Sequence, residues 1–238
     1  NAKLKEQLQN DQALIKYKVS WNTLGEYLDF LEKNGVSCNV ASYVGATTIR
    51  MNIIGEDNRA PTPSELDSMR LLVKQAMEEG AMGVGSSLIY PPAFFAKTEE
   101  LIALCKEASK YGGSYISHIR SEGNRLYEGV EELITIAEAA KCHAEIYHLK
   151  AAGKDNWGKM DSVIKRVVRA GKEGLDITAD MYTYTAGATG LTASLPPALQ
   201  DGGFDKLWKR LQDKAIRDQM KKAMNSNATD WENLYYGA

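Results

Sequence analysis

Ser114-Tyr-Ile-Ser-His-Ile-Arg120 and Ala144-Glu-Ile-Tyr-His-Leu-Lys150 are two short runs of strand-forming residues, each closed by a histidine, an apolar residue and a basic residue. His148 follows His118 by thirty residues, and the chain has only three histidines in all. Thirty residues is about one strand plus one returning helix. If successive strands of a parallel sheet end in histidine, both imidazoles leave the sheet at its carboxyl edge, where α/β barrels build their active sites. Neutral imidazole is a common metal ligand, so the pair has the arrangement of a metal site. A single histidine at a strand end is more often just hydrogen-bonded in place; repetition at the βα period favours the ligand reading.

The same rhythm extends outward. Strand-like runs begin near Val36, Met82, Ser114, Ala144 and Leu175, and each successive pair brackets a helical pattern. Thr62 and Glu65 form a capping box with Pro63 at the first helical position, ahead of Leu66, Met69, Val73 and Ala76 and a stop at Gly80. Thr98 opens a helix carrying Leu101, Leu104, Cys105 and Ala108. Leu126, Val130, Leu133 and Ala137 share one face of the next, and Asn156 to Gly171 repeats the pattern with Met160, Val163, Val167 and Ala170. The fold class is therefore α/β, with about five βα units.

Composition narrows the function classes. Of 238 residues, 44% are hydrophobic and 25% charged, with a formal net charge of −2, which suits a globular chain with a sizeable core and no nucleic-acid partner. No apolar stretch is long enough for a membrane span, and no signal peptide is evident at the start. Cys38, Cys105 and Cys142 have no zinc or redox spacing and read as small buried hydrophobes.

Residues 1–20 are polar and lysine-rich and form an arm, leaving 21–238 as one domain. Residues 186–203 hold Gly187, Gly190, Pro196 and Pro197 and form a long loop above the sheet, a place where loops are usually functional. Phe204, Leu207, Leu211 and Met220 lie along an amphipathic helix.

Several longer motifs resemble one family. Gly80-Ala-Met-Gly-Val-Gly-Ser-Ser-Leu-Ile-Tyr-Pro-Pro92, Tyr111-Gly-Gly-Ser-Tyr-Ile-Ser-His-Ile-Arg-Ser-Glu-Gly123, His148-Leu-Lys-Ala-Ala-Gly-Lys154 and Asp180-Met-Tyr-Thr-Tyr-Thr-Ala186 are similar to the middle of the D-aminoacylases. These N-acyl-D-amino-acid deacylases belong to the metal-dependent amidohydrolase superfamily. The resemblance runs in order from about Trp21 to Gly190. It implies a distorted (β/α)8 TIM barrel whose third to seventh strands are present here, so that this chain alone cannot close the barrel and resembles an internal fragment. An unclosed parallel sheet exposes edges and an apolar face, which favours self-association.

The resemblance also implies roles. His118 and His148 match two zinc ligands. The family's His-x-His pair, its bridging ligand and the aspartate of its last strand, the general base, have no match, so no catalytic residue is identified. Zinc is expected to bind weakly or not at all to this chain. Lys150 and Tyr90 match groups that hold the substrate carboxylate, with Tyr182 a third candidate; a solvated lysine and packed aromatics are the alternatives that the residues alone leave open. The family often has serine where Ala188 or Thr189 stands. Ala46 replaces a histidine near the third strand's mouth, which points to altered specificity. Arg120 and Glu122 are expected to pair and fix the His118 tautomer, a simple loop ion pair being the alternative. His143, at a strand start, is read as structural.

The implied activity is zinc-dependent deacylation of N-acyl-D-amino acids, with a small N-acyl amino acid as partner. A non-catalytic scaffold or binding domain, or a dipeptidase- or dihydroorotase-like amidohydrolase, is the alternative. A scaffold would keep the two histidines apart or turn them to protein carbonyls. The compartment, cytoplasm or periplasm, is left open, because the natural N-terminus is expected to lie upstream.

Overall fold

Five strands, β1 (Val44–Gly45), β2 (Gly83–Ser87), β3 (Ser114–His118), β4 (Ala144–Ile146) and β5 (Ile177–Ala179), lie side by side in chain order in one parallel sheet. This computed structural model describes residue 6, residues 18–226 and residues 229–237. The arm expected over residues 1–20 lies outside the described residues apart from Glu6 and residues 18–20. Helices return the chain between strands: α1 (Leu24–Asn34) and α2 (Ala46–Ile53) flank β1, α3 (Pro63–Glu78) precedes β2, α4 (Thr98–Ser109) precedes β3, α5 (Leu126–Ala140) precedes β4 and α6 (Met160–Lys172) precedes β5. Beyond the sheet come α7 (Phe204–Gln212), α8 (Lys214–Met224) and a last short turn, α9 (Leu234–Gly237). No helix of the described residues is long and apolar enough to cross a membrane.

The helices form where their capping chemistry and apolar stripes agree. In α3 the Thr62 hydroxyl accepts from the Glu65 N–H while the Glu65 carboxylate accepts from the Thr62 N–H, satisfying two of the helix's free donors at once. Its buried residues, Met69, Val73, Ala76 and Met77, are spaced to face one way. Together with Leu101, Leu104 and Cys105 of α4, Leu126, Val130, Leu133, Ile134 and Ala137 of α5, and Val163 and Ala170 of α6, they cover Val84, Tyr115, Ala144 and Ile146 of the strands. Burying one such side chain contributes about 1.5–3 kcal/mol, so this layer is the main source of stability. The alternate strand residues face the other way: Ile116 and Glu145 are half-buried and Thr178 is exposed.

Two glycines set the strand register. Gly83 has φ 147°, and a Cβ there would overlap the Ser114 backbone; a Cβ on Gly113 would stand 2.6 Å from Met77 Cε and 3.0 Å from the Ala108 carbonyl. Both permit β2 and β3 to start side by side and to end with Ser87 opposite His118.

Several expectations are corrected. The run from Val36 is not a strand: pairing with β2 begins only at Val44, and Val36, Cys38 and Val40 are exposed. Cys38 is therefore not a buried hydrophobe, whereas Cys105 is. Thr98 does open α4, as its first residue, and its hydroxyl donates to Glu132. The segment from Asn156 starts within a 3-10 turn, Lys154–Lys159, before α6 begins. The helix expected from Phe204 to Met220 is split at Asp213, whose carboxylate accepts from the N–H groups of Ala215 and Ile216 and caps α8. The loop over residues 186–203 holds two 3-10 turns, Leu191–Ser194 and Pro197–Gln200.

Candidate metal and substrate site

His118 is the last residue of β3 and lies at the sheet's carboxyl edge, only 7% exposed. His148 does not end β4, as the sequence suggests, but lies two residues past it. The Tyr147 N–H still donates to the Ser117 carbonyl, and the chain then turns, with His148 at φ 40°. That left-handed conformation is unusual for histidine and is held by Asp180 at the end of β5. The Asp180 carboxylate accepts from the His148 N–H, and its carbonyl accepts from the Leu149 N–H at 2.8 Å. The turn directs the imidazole back across the strand ends, so that His148 Nε2 stands 3.0 Å from His118 Nδ1.

Glu122 lies behind both rings. Its Oε1 is 2.9 Å from His148 Nδ1 and its Oε2 is 3.9 Å from His118 Nε2. Its carboxyl is pushed up by burial, an effect that the hydrogen bond from Lys150 opposes. The Lys150 ammonium donates to Glu122 Oε1 at 2.5 Å, approaches His148 Nδ1 at 2.9 Å and donates to the His148 carbonyl at 3.2 Å. Burial first, and then the neighbouring His148 and Lys150, lower the His118 pKa to about 3; burial and Lys150 lower that of His148 as well. At neutral pH both imidazoles are therefore neutral bases with lone pairs to offer.

Tyr90 stands on the other side of His118, the ring centroids 5.5 Å apart, and its hydroxyl bonds Thr189 Oγ1 at 2.8 Å. The Tyr182 ring lies 6.4 Å from the His148 ring, stacks on Tyr184 and has Lys150 Nζ 5.5 Å from its centroid. Ala46 is buried as the first residue of α2, just past β1.

The structure brings together His118, His148, Glu122, Lys150, Tyr90 and Tyr182, but not Arg120. Arg120 does not pair with Glu122; its guanidinium grips both Glu132 oxygens at 2.7 and 2.8 Å and the carbonyls of Phe94 and Ala96. An arginine fork fits that planar set of acceptors better than a single turn carboxylate, so it ties the loop after Tyr90 to α5. Lys150 reaches the cluster through the turn at His148. His143 lies at the opposite end of β4, 3.1 Å from Asp176. Sequence reading passed over Tyr147, whose ring stacks on His148 with centroids 5.0 Å apart, and Glu232, which reaches the Glu122 backbone from far along the chain. An aromatic next to the histidine was the only available signal for the first, and nothing local signalled the second.

No protein-family model matches the chain. A D-aminoacylase of Alcaligenes xylosoxydans xylosoxydans is 35% identical over 164 residues, 69% of this chain and 34% of the relative. An N-acyl-D-glutamate deacylase of the same organism is 30% identical over 163 residues, 68% of this chain and 33% of the relative. A crystal structure described as D-aminoacylase that defines a novel subset of amidohydrolases superposes with a TM-score of 0.67 at 32% identity, covering 69% of this chain and 35% of the other. This region belongs with the D-aminoacylases. The chain spans about a third of the length of the curated D-aminoacylase relatives it matches. Its five-stranded sheet is the corresponding part of the D-aminoacylase TIM barrel and stays open. A further D-aminoacylase neighbour, N-acyl-D-glutamate deacylase of Bordetella bronchiseptica complexed with zinc and a phosphonate inhibitor, has a TM-score of 0.68 at 28% identity, covering 73% of this chain and 36% of the other.

Proposed function

We propose that this chain supplies the central βα units, two metal ligands and the carboxylate-binding corner of a metal-dependent amidohydrolase that removes the acyl group from N-acyl-D-amino acids. The observation that carries the reading is the 3.0 Å approach of His118 Nδ1 to His148 Nε2 at the carboxyl ends of neighbouring strands. Two nitrogens bound to one tetrahedral zinc at 2.0–2.1 Å stand about 3.3 Å apart, so the pair is close to ligand spacing. The donor chemistry fits: both rings are neutral at pH 7, and His118 Nε2 is buried with no hydrogen-bond partner among the described residues, facing the Glu122 carboxylate. Lys150 Nζ donates to His148 Nδ1 as the site stands; with Lys150 drawn away by a substrate carboxylate, Glu122, 2.9 Å off, would accept from Nδ1–H and leave the Nε2 lone pair free for a metal, a common way of fixing a ligand's tautomer. A bound divalent metal would lower the pKa of a water and polarise the amide carbonyl.

The chain's own residues do the rest of the recognition. Lys150, held at the cluster edge and 29% exposed on its side chain, is placed to exchange Glu122 for a substrate carboxylate. The Tyr90 and Tyr182 hydroxyls flank the same opening and add donors without charge. In this reading residues 186–203 sit over the mouth as a cover anchored by the Tyr90–Thr189 hydrogen bond.

The test uses a polypeptide in which these residues sit within a closed barrel. With zinc content verified, Lys150→Met should cost roughly thirty- to a thousand-fold in kcat/KM on N-acetyl-D-amino acids, about 2–4 kcal/mol. Carboxamide-capped substrates should be nearly indifferent to the change. Equal losses on both substrates would assign Lys150 to folding or to the metal site.

A further inference from the structure

We propose that Glu232 is a positioning residue for the His118–His148 pair, acting through Glu122; the inference rests on the metal-site reading above. Glu232 lies in the segment after α8, more than a hundred residues beyond the turn it touches, and is only 8% exposed. Its Oε2 accepts from the Glu122 N–H at 2.5 Å. The Glu122 carbonyl accepts from the Ala152 N–H at 2.7 Å, so both sides of this residue's backbone are held from outside its own turn.

Inside the turn, the Ser121 hydroxyl accepts from the N–H groups of Gly123 and Arg125, both at 3.2 Å. Gly129 of α5 lets the turn sit down on the helix, because a Cβ there would stand 3.0 Å from the Ser121 carbonyl. Arg125 in turn donates to the Asp230 carbonyl at 3.3 Å, tying the distant segment to the same place. The backbone of Glu122 is thereby fixed on every side, and its side chain is delivered to His148 and Lys150.

The second oxygen of Glu232, Oε1, is buried and has no hydrogen-bond partner among the described residues. Leaving a buried polar atom unpaired costs stability and needs a reason. Here the group faces the backbone of the residue whose carboxylate lies 2.9 Å from His148 Nδ1 and 3.9 Å from His118 Nε2, a place where partners of metal ligands tune affinity. The geometry makes Glu232 the outermost link of a chain that runs from the C-terminal segment through the Glu122 peptide to the two rings.

The experiment is a cobalt(II) titration of the 238-residue chain, read by visible absorption and by competition with a chelator, for wild type, Glu232→Gln, Glu232→Asp and Glu232→Ala. Circular dichroism checks that each variant is folded. Glu232→Gln keeps an oxygen for the Glu122 N–H and should stay within about threefold of wild type, while Glu232→Ala should bind 10- to 100-fold more weakly. Glu232→Asp withdraws the oxygen by one methylene and should be weakened too, so it carries the test if the alanine variant does not fold. Wild-type affinity in the folded alanine or aspartate variant, or a glutamine variant as weak as alanine, would overturn the role given to Glu232 and leave the metal site standing. Two imidazoles and one carboxylate make an incomplete site, so wild type should bind cobalt weakly; no uptake even at millimolar cobalt would overturn the metal reading.

Discussion

Lys150→Met should destabilise the chain by about 3 kcal/mol at pH 7.5 and by far less at pH 5. The Glu122 side chain is 4% exposed and that of Lys150 is 29% exposed, with the ammonium 2.5 Å from the carboxylate. Removing one partner of a fully buried pair costs about 3–5 kcal/mol, because the other charge is left in a site that cannot solvate it. In Lys150→Met the stranded group is the buried Glu122, so the lower end of that range applies, limited by the group's ability to take up a proton. Glu122→Gln strands the ammonium instead, which water still reaches, and about 2 kcal/mol is expected. The double variant leaves no charge uncompensated and should recover about 2 kcal/mol of the summed loss. The sign with pH follows from the same carboxyl. Without Lys150 its folded-state pKa rises further above the ordinary value, so the loss is small near pH 4.5 and grows as pH increases. Urea denaturation of the four proteins at both pH values measures the cycle. Losses that add within about 0.5 kcal/mol, with no dependence on pH, would refute a coupled pair and the placement of Lys150 that rests on it.

The remaining predictions concern titration, metal and activity. His118, with its pKa lowered to about 3 by burial, stays neutral in the folded chain while its unfolded counterpart takes up a proton below about 6.5. The metal-free chain should therefore hold this contribution above pH 6.5 and lose it at up to roughly 1.4 kcal/mol per pH unit on going from there toward pH 3; Gln at position 118 should remove that slope, and parallel stability curves for the two proteins would contradict the burial argument. His118→Ala should lower cobalt affinity at least 100-fold, and retention of wild-type affinity would place the metal elsewhere. The chain by itself should hydrolyse N-acetyl-D-amino acids no faster than background, because His118, Glu122 and His148 make an incomplete metal site on a sheet that does not close. Turnover that His118→Ala abolishes would show that these residues suffice.

The βα rhythm was legible in the sequence because helix caps and apolar spacing are local. Thr62 with Glu65, and the stripe of Met69, Val73 and Ala76, specify α3 without reference to the rest of the chain. The order of strands follows from that alternation, and with it the arrival of His118 and His148 at one edge of the sheet. Strand ends were not legible: Val36 and Val40 have strand-forming side chains, yet only Val44 and Gly45 meet β2, since pairing depends on what lies opposite. The turn at His148 was likewise invisible, because its φ is set by Asp180, thirty-two residues further on. The type and spacing of Arg120 and Glu122 suggested a pair, but the fold gave Arg120 to Glu132 and two carbonyls and gave Glu122 to Lys150 and His148. Sequence fixes which residues carry chemistry and roughly where each element begins. Which charge meets which is decided by tertiary packing, because a buried ionic or hydrogen-bonding group takes the partner that best replaces its lost water, and that partner is chosen by three-dimensional proximity.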